Sequence, residues 1–415
     1  MLNVDLSNIW CSVTLPGLLE NEQAIAAAHA ALSDAEDADF FTWLDGAPDL
    51  TRLEKTARSI RDMAQVLVVV GDGGAVLGAQ ALLALLGGPR NGLEVRFAGS
   101  SLSTQAWQGL CERLEGRDFC VQAVGRDRLE IQAAVAFRGL RWLLERRYGT
   151  EKARERVFVA TAPEDGVLRA LSAAESYAAF NLPPMAGGCV SALSPAALLC
   201  LTAAGLDLAA VLAGAALART AMEVRSFENP AWLYASARKI LAEKGKTAEY
   251  LLTAEPDAWA LCRWWQRLMA RRCGPLGLLP AAAEIPAELA SLWPLLHAPG
   301  APLLETVLRF DPPAQKTAVE MDWKNIDGLN HLEGYTIDYV QEQAVAGFLQ
   351  AGVDAGVPVI TIDCGPLEAA SAGALLYFFE LSSALEAGLR GRAAVPQGAG
   401  AWHSHMRALL ERREG

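Results

Sequence analysis

Five consecutive apolar positions, Val66 to Val70, run straight into the turn Gly71-Asp72-Gly73-Gly74 and then into an apolar stretch over 75–86. A short Val-rich run closed by glycines predicts a strand buried on both faces, and the stretch after it predicts a helix packed back onto that strand. The pairing recurs: 93–97, 119–124 and 157–160 read as strands, separated by helical stretches such as 131–148. Strands alternating with helices predict a doubly wound, mainly parallel sheet. After a helical middle, a second series of strands is expected over 248–252, 303–310 and 357–362, the last ending at Asp363. Long helices are expected over 230–243, 256–271, 337–355 and 366–389. Three of them open on proline, whose missing N–H is no loss in a first helical turn. The aromatic run Tyr377, Phe378, Phe379 in the last helix reads as core packing.

The most apolar stretch, 192–218, is interrupted by Pro195 and Asp207, so it falls short of the roughly 18 apolar residues of a membrane span and predicts two buried Ala-rich helices. The 415 residues are 52% hydrophobic and 20% charged, enough for a large core, and no long linker separates the lobes, which should share an interface. A net charge of -12 argues against nucleic acid as a partner, because a polyanion-binding surface needs clustered Lys and Arg. Eight cysteines at 11, 111, 120, 189, 200, 262, 273 and 364 form no Cys-x-x-Cys pair and follow no secretory leader, so reduced thiols in a cytoplasm are expected. His403 and His405 have no further ligands beside them, and no metal is assigned.

Ten segments in order then carry a resemblance: FTWLD (41–45), GDGGAVLGA (71–79), ATAPEDGVLRALS (160–172), GGCVSALSPAALL (187–199), ENPAWLYASAR (228–238), KGKTAEYLL (244–252), LLETVLRF (303–310), DGLNHLEGYT (327–336), GVPVITI (356–362) and LLYFFE (375–380). In order and spacing they resemble the glucose-6-phosphate isomerase family. The resemblance implies two sugar-isomerase (SIS-type) three-layer α/β/α lobes with mainly parallel sheets. It divides the chain into an N-terminal helical segment 1–50, a first lobe 51–190, a helical connection and second lobe 191–390, and a C-terminal helix 391–415. It also implies a sugar phosphate held between the lobes, a homodimer in which each subunit helps close the other's site, and no organic cofactor. The family reaction opens the sugar ring and moves a proton between C2 and C1 through a cis-enediolate, which calls for a carboxylate base, a cation beside the developing oxyanion, and ring-opening acid and base groups.

Carried over position by position, that chemistry is missing. The family's base follows a Trp pair in a "GESEGK" motif; here Trp264 and Trp265 set the register and Arg271 takes its place. A guanidinium cannot accept a proton. The cation of "GGRxS" falls on Cys189, between the surviving Gly188 and Ser191, and the ring-opening His before "TDGGVP" falls on Gly352. The C-terminal Lys falls on His403 or Ser404. The phosphate loop "SKSGTT" aligns with Gly125, Arg126, Asp127, Arg128, Leu129 and Glu130, which lacks hydroxyls, and the "HSxGQ" stretch aligns with 290–294. Substrate-binding positions are expected at Gly73, Gly74, Ser100, Arg126, Arg128 and Gly188. The leading expectation is a catalytically impaired member of the family that binds a sugar phosphate, another small anion or a partner. The alternatives are an isomerase using other residues, such as His403 or a group from a second subunit, and a purely structural subunit paired with an active isomerase.

Overall fold

A computed structural model describes residues 2–10, 12–34, 50–71, 73–88, 92–164, 166–182, 192–272, 278–298, 300–391 and 400–411. The strands are β1 (Asn3–Asp5), β2 (Val66–Gly71), β3 (Glu94–Ala98), β4 (Phe119–Val124), β5 (Val157–Thr161), β6 (Ala178–Asn181), β7 (Ala248–Thr253), β8 (Leu279–Glu284), β9 (Leu303–Asp311) and β10 (Val359–Pro366). The helices used below are α1 (Gly74–Leu85), α2 (Thr104–Leu114), α3 (Ile131–Tyr148), α4 (Pro195–Ala203), α5 (Leu208–Ala221), α6 (Pro230–Glu243), α7 (Trp259–Arg272), α8 (Leu289–Leu296), α9 (Ile337–Asp354), α10 (Ala369–Leu389) and α11 (Gly400–Glu411).

The strands form two five-stranded sheets, ordered β3-β2-β4-β5-β6 and β1-β10-β9-β7-β8. The first is parallel throughout. Helices cover both of its faces, so every residue of β2 is buried, which is why the sequence there is an unbroken apolar run. The second is parallel apart from β1, which joins its edge antiparallel to β10. The expected pair of α/β lobes is therefore present, and the Ala-rich stretch forms α4 and α5, with Asp207 capping α5 by accepting from the Ala210 N–H at 3.1 Å.

Two expected elements change. The helix expected from 366 begins at Ala369, because Pro366 closes β10. Pairing with β1 stops at Asp363, so Pro366 has no neighbour on that side to need its missing N–H. The helix expected over 256–271 divides into a 3-10 turn, Pro256–Ala258, and α7.

One hydrophobic core joins the lobes, running from Leu67 and Val69 through α4 and α6 to Leu304 and Ile360. Within it α5 and α10 touch backbone to backbone: a Cβ on Gly373 would lie 1.9 Å from the Val211 carbonyl oxygen, so no side chain fits there. Among the described residues no helix is long and apolar enough to cross a membrane. From β9 the chain makes an exposed excursion over 312–336, where Trp323 is 91% and Ile326 84% exposed, before α9 returns it to the sheet.

Candidate functional site

In the first sheet β2 pairs with β3 on one side and β4 on the other. The connections leaving β2 and β4 therefore diverge, and at such a switch point the carboxyl ends of the strands leave a crevice. Three sequence-predicted segments converge on this edge: Gly73-Gly74 after β2, Ser100 after β3, and the loop 125–130 after β4. Gly73 has φ 101°, a left-handed conformation that glycine adopts without strain, and it precedes α1 without any side-chain cap. The first-turn N–H groups of α1 have no intrahelical acceptor and favour an anion.

The loop after β4 is tied to the rest of the lobe by its backbone. Gly125 N–H donates to the Ala160 carbonyl at 3.0 Å, Ala162 N–H to the Arg126 carbonyl at 2.9 Å, and Leu168 N–H to the Asp127 carbonyl at 2.8 Å. Its side chains point outward: Arg126, Asp127, Arg128 and Glu130 are exposed. Neither the Arg126 nor the Arg128 guanidinium forms a hydrogen bond or ion pair with a described residue. Two guanidinium groups thus stand beside a helix start, with two carboxylates between and after them that oppose an incoming anion.

The lobes meet behind this crevice at Gly78 on α1. A Cβ there would lie 2.3 Å from the Ala192 Cβ and 3.6 Å from Trp264 Nε1, so α1 rests directly on the segment after 187–191 and on α7. Ala192 N–H donates to the buried Glu380 carboxylate at 3.1 Å, fixing that segment to α10. Gly188 and Cys189 lie outside the described residues. Arg271 is exposed in the last turn of α7, where the helix dipole favours a cation, while Trp264 and Trp265 anchor the same helix in the core.

Gly352 belongs elsewhere. It is buried on α9 against the start of the second sheet, and a Cβ there would sit 3.2 Å from Val359 Cγ2, 3.5 Å from His297 Nε2 and 3.6 Å from Glu305 Oε2. It is not among the residues at the strand ends of the first lobe. His403 and Ser404 lie on α11, with Ser404 exposed and the His403 side chain outside the described set. Of the stretch 290–294, Ser291 only closes a local turn, donating to the Glu288 carbonyl at 3.0 Å.

A groove of about 960 Å³ opens next to Ser100, between α2 and α3, lined by Leu102, Trp107, Val135 and Trp142. Its apolar walls do not suit a phosphate, so the strand-end crevice remains the better candidate for an anion. Among the described residues no three His, Cys, Asp or Glu side chains cluster as metal ligands. The described cysteines, Cys111, Cys120, Cys200, Cys262 and Cys364, are free thiols. Burial pushes Cys120 and Cys200 up to about 12, which keeps them from acting as thiolates.

One constellation escaped the reading of the sequence. Tyr234 Oη donates to Glu249 Oε1 at 2.6 Å, Thr306 Oγ1 to the same oxygen at 2.7 Å, and Arg238 Nε to Glu249 Oε2 at 2.6 Å. Arg238 also pairs with Glu386, which accepts from Arg390 at 3.0 Å. Arg238, Glu249 and Glu386 are all completely buried. The segments NPAWLYASAR, KGKTAEYLL and LLETVLRF, which carry much of the resemblance, meet in this network. A lone Glu within an apolar strand was the available signal, because a buried charge must be paired.

No family model matches the chain. The glucose-6-phosphate isomerase of Bacillus cytotoxicus is 33% identical over 411 aligned residues, covering 93% of this chain and 90% of that protein. That of Bacillus cereus (strain AH187) is 33% identical over 407, with the same coverage of both. Among solved structures, a hypothetical protein from Thermus thermophilus superposes with a TM-score of 0.87 at 21% identity, covering 100% of this chain and 99% of that one. A glucose-6-phosphate isomerase from Chlamydia trachomatis superposes with a TM-score of 0.77 at 15% identity, over 97% and 86%. These two speak to the fold, and the Bacillus relatives, aligned along almost the whole of both chains, place the protein's descent: the chain belongs to the glucose-6-phosphate isomerase family.

Proposed function

We propose that this family member binds a sugar phosphate, or a small anion resembling one, at the strand ends of the first lobe without turning it over at the rate of an intact isomerase. The observation that carries this reading is Arg271 in the last turn of α7, at the position where the family resemblance calls for the proton-abstracting carboxylate. Binding is supported by the uncapped start of α1 at Gly73 and by the exposed Arg126 and Arg128. A charge-assisted hydrogen bond contributes roughly 1.5–3 kcal/mol, less where solvent screens it. The double variant Arg126→Ala, Arg128→Ala should therefore bind glucose 6-phosphate at least about 10-fold more weakly by titration calorimetry, since about 1.4 kcal/mol is a factor of ten. An unchanged Kd would contradict this site.

The same reading includes a homodimer. Trp323 and Ile326 stand almost fully in solvent on the excursion between β9 and α9, and large apolar side chains exposed together favour burial against another surface, here a second copy of the chain. Light scattering at micromolar concentration should give twice the monomer mass of 44.3 kDa. A monomer mass would count against it.

A further inference from the structure

Glu305 lies on the face of the second sheet opposite Leu304, with its carboxylate completely buried. Neither of its oxygens accepts a hydrogen bond from a described residue. His297 Nε2 lies 3.8 Å from Oε1, on a ring whose side chain is 4% exposed. That ring stacks on Trp293 at 3.8 Å between centroids and meets Phe348 edge-on at 5.4 Å. Its Nδ1 sits 3.3 Å from the Trp293 carbonyl oxygen. An Nδ1–H donating to that carbonyl leaves a lone pair on Nε2, facing Glu305. Two acceptors confronting each other out of water call for a proton between them.

Among the described residues around it, helix α9 contributes Val345, Phe348, Leu349 and Gly352, β10 contributes Val359, and β7 contributes Tyr250, the register partner of Glu305. Farther along the same face the alternation of β9 and β10 puts Arg309 and Asp363, which pair with each other at 2.6 Å and are partly exposed. The Arg238 network lies across the sheet, with Glu249 and Thr306. A Cβ at Gly352 would meet both groups at ordinary van der Waals distance, 3.5 and 3.6 Å, so α9 packs closely over the pair.

We propose that Glu305 is protonated in the native protein, its carboxyl facing the lone pair of His297 Nε2, and that this pair makes the second lobe lose stability as pH rises above neutrality. Burial pushes the Glu305 carboxyl up to about 8 from its ordinary 4.5, and lowers His297 from 6.5. In the unfolded chain, Glu305 releases its proton near 4.5 and His297 near 6.5. Just below 6.5 each state holds one proton, on Glu305 when folded and on His297 when unfolded, and the two effects cancel. Between 6.5 and about 8 the folded pair keeps its proton while the unfolded chain has lost it. The folding equilibrium constant should then fall about 10-fold per pH unit, or about 30-fold across that window.

Glu305→Gln keeps the shape and supplies an N–H to Nε2 but does not titrate. Hydrogen-exchange protection of the β9 amides, compared between wild type and E305Q at each pH from 6.5 to about 8, should show the wild type losing about 30-fold more protection than the variant. Parallel pH profiles would overturn the proposal. Should E305Q fail to fold, infrared spectra of the wild type decide: a carboxylic-acid carbonyl band present at neutral pH, abolished above about 8 and shifted in His297→Gln, is expected. Absence of that band at neutral pH would overturn it as well.

Discussion

Purified from a host lacking its own isomerase, this protein should interconvert glucose 6-phosphate and fructose 6-phosphate at least about 1,000-fold more slowly than a relative with a carboxylate at the position of Arg271. General base catalysis typically contributes about 100- to 10,000-fold, and a single charge-stabilising donor about 100- to 1,000-fold. On the proposed reading of the site, the base position holds the Arg271 guanidinium and the cation position holds Cys189. The losses need not multiply, because groups that act on one transition state are strongly non-additive, so the figure rests on little more than one of them. A coupled enzymatic assay reads the result. Turnover above about 10 per second, a median enzyme value, would mean that another residue supplies the base.

The second large effect is on stability. Arg238→Met should destabilise the protein by about 3–5 kcal/mol, the usual consequence of removing one partner from a buried ion pair. The substitution leaves Glu249 with two hydroxyl donors and no cation, and leaves Glu386 with Arg390 alone. Both carboxylates are completely buried, so water cannot compensate. Arg238→Met combined with Glu249→Gln should recover part of the loss, because the uncompensated charge is then gone. Urea denaturation followed by far-UV circular dichroism measures both. A loss under about 1 kcal/mol for Arg238→Met would show that the network is incidental. This network gives a physical reason for these motifs to persist whatever the chemistry of the site: Tyr234, Arg238, Glu249 and Glu386 hold α6, β7 and α10 together.

Residues 119–124 and 131–148 are placed to the residue as β4 and α3: the first is a wholly buried apolar run, and the second buries one face, Ala133, Ala136, Phe137, Leu140 and Leu144, at helical spacing. The strands β1, β6 and β8 are not visible in the sequence. β1 and β6 are three and four residues long, and β8 reads LPAAAE, with no β-branched residue to mark it. Its strand state comes from pairing with β7. The site follows the same division. Gly73, Ser100, Arg126 and Arg128 fall at strand ends, where the alternating pattern itself locates a crevice. Gly352 is assigned by the resemblance of 353–358 to a family motif, and a motif match says nothing of which sheet edge a helix face meets. That face meets Val359, His297 and Glu305, a juxtaposition of three separate elements.

The most direct test follows the proton itself. The family reaction takes a proton from C2 of glucose 6-phosphate, and an enediolate formed in D2O exposes that position to deuterium. Proton NMR of glucose 6-phosphate incubated with this protein in D2O should show the C2 proton retained, while the same sample shows saturable binding that Arg126→Ala, Arg128→Ala weakens. Deuterium appearing at C2 at the rate given by a Bacillus relative would contradict the account, for it would mean that a base still works in this fold.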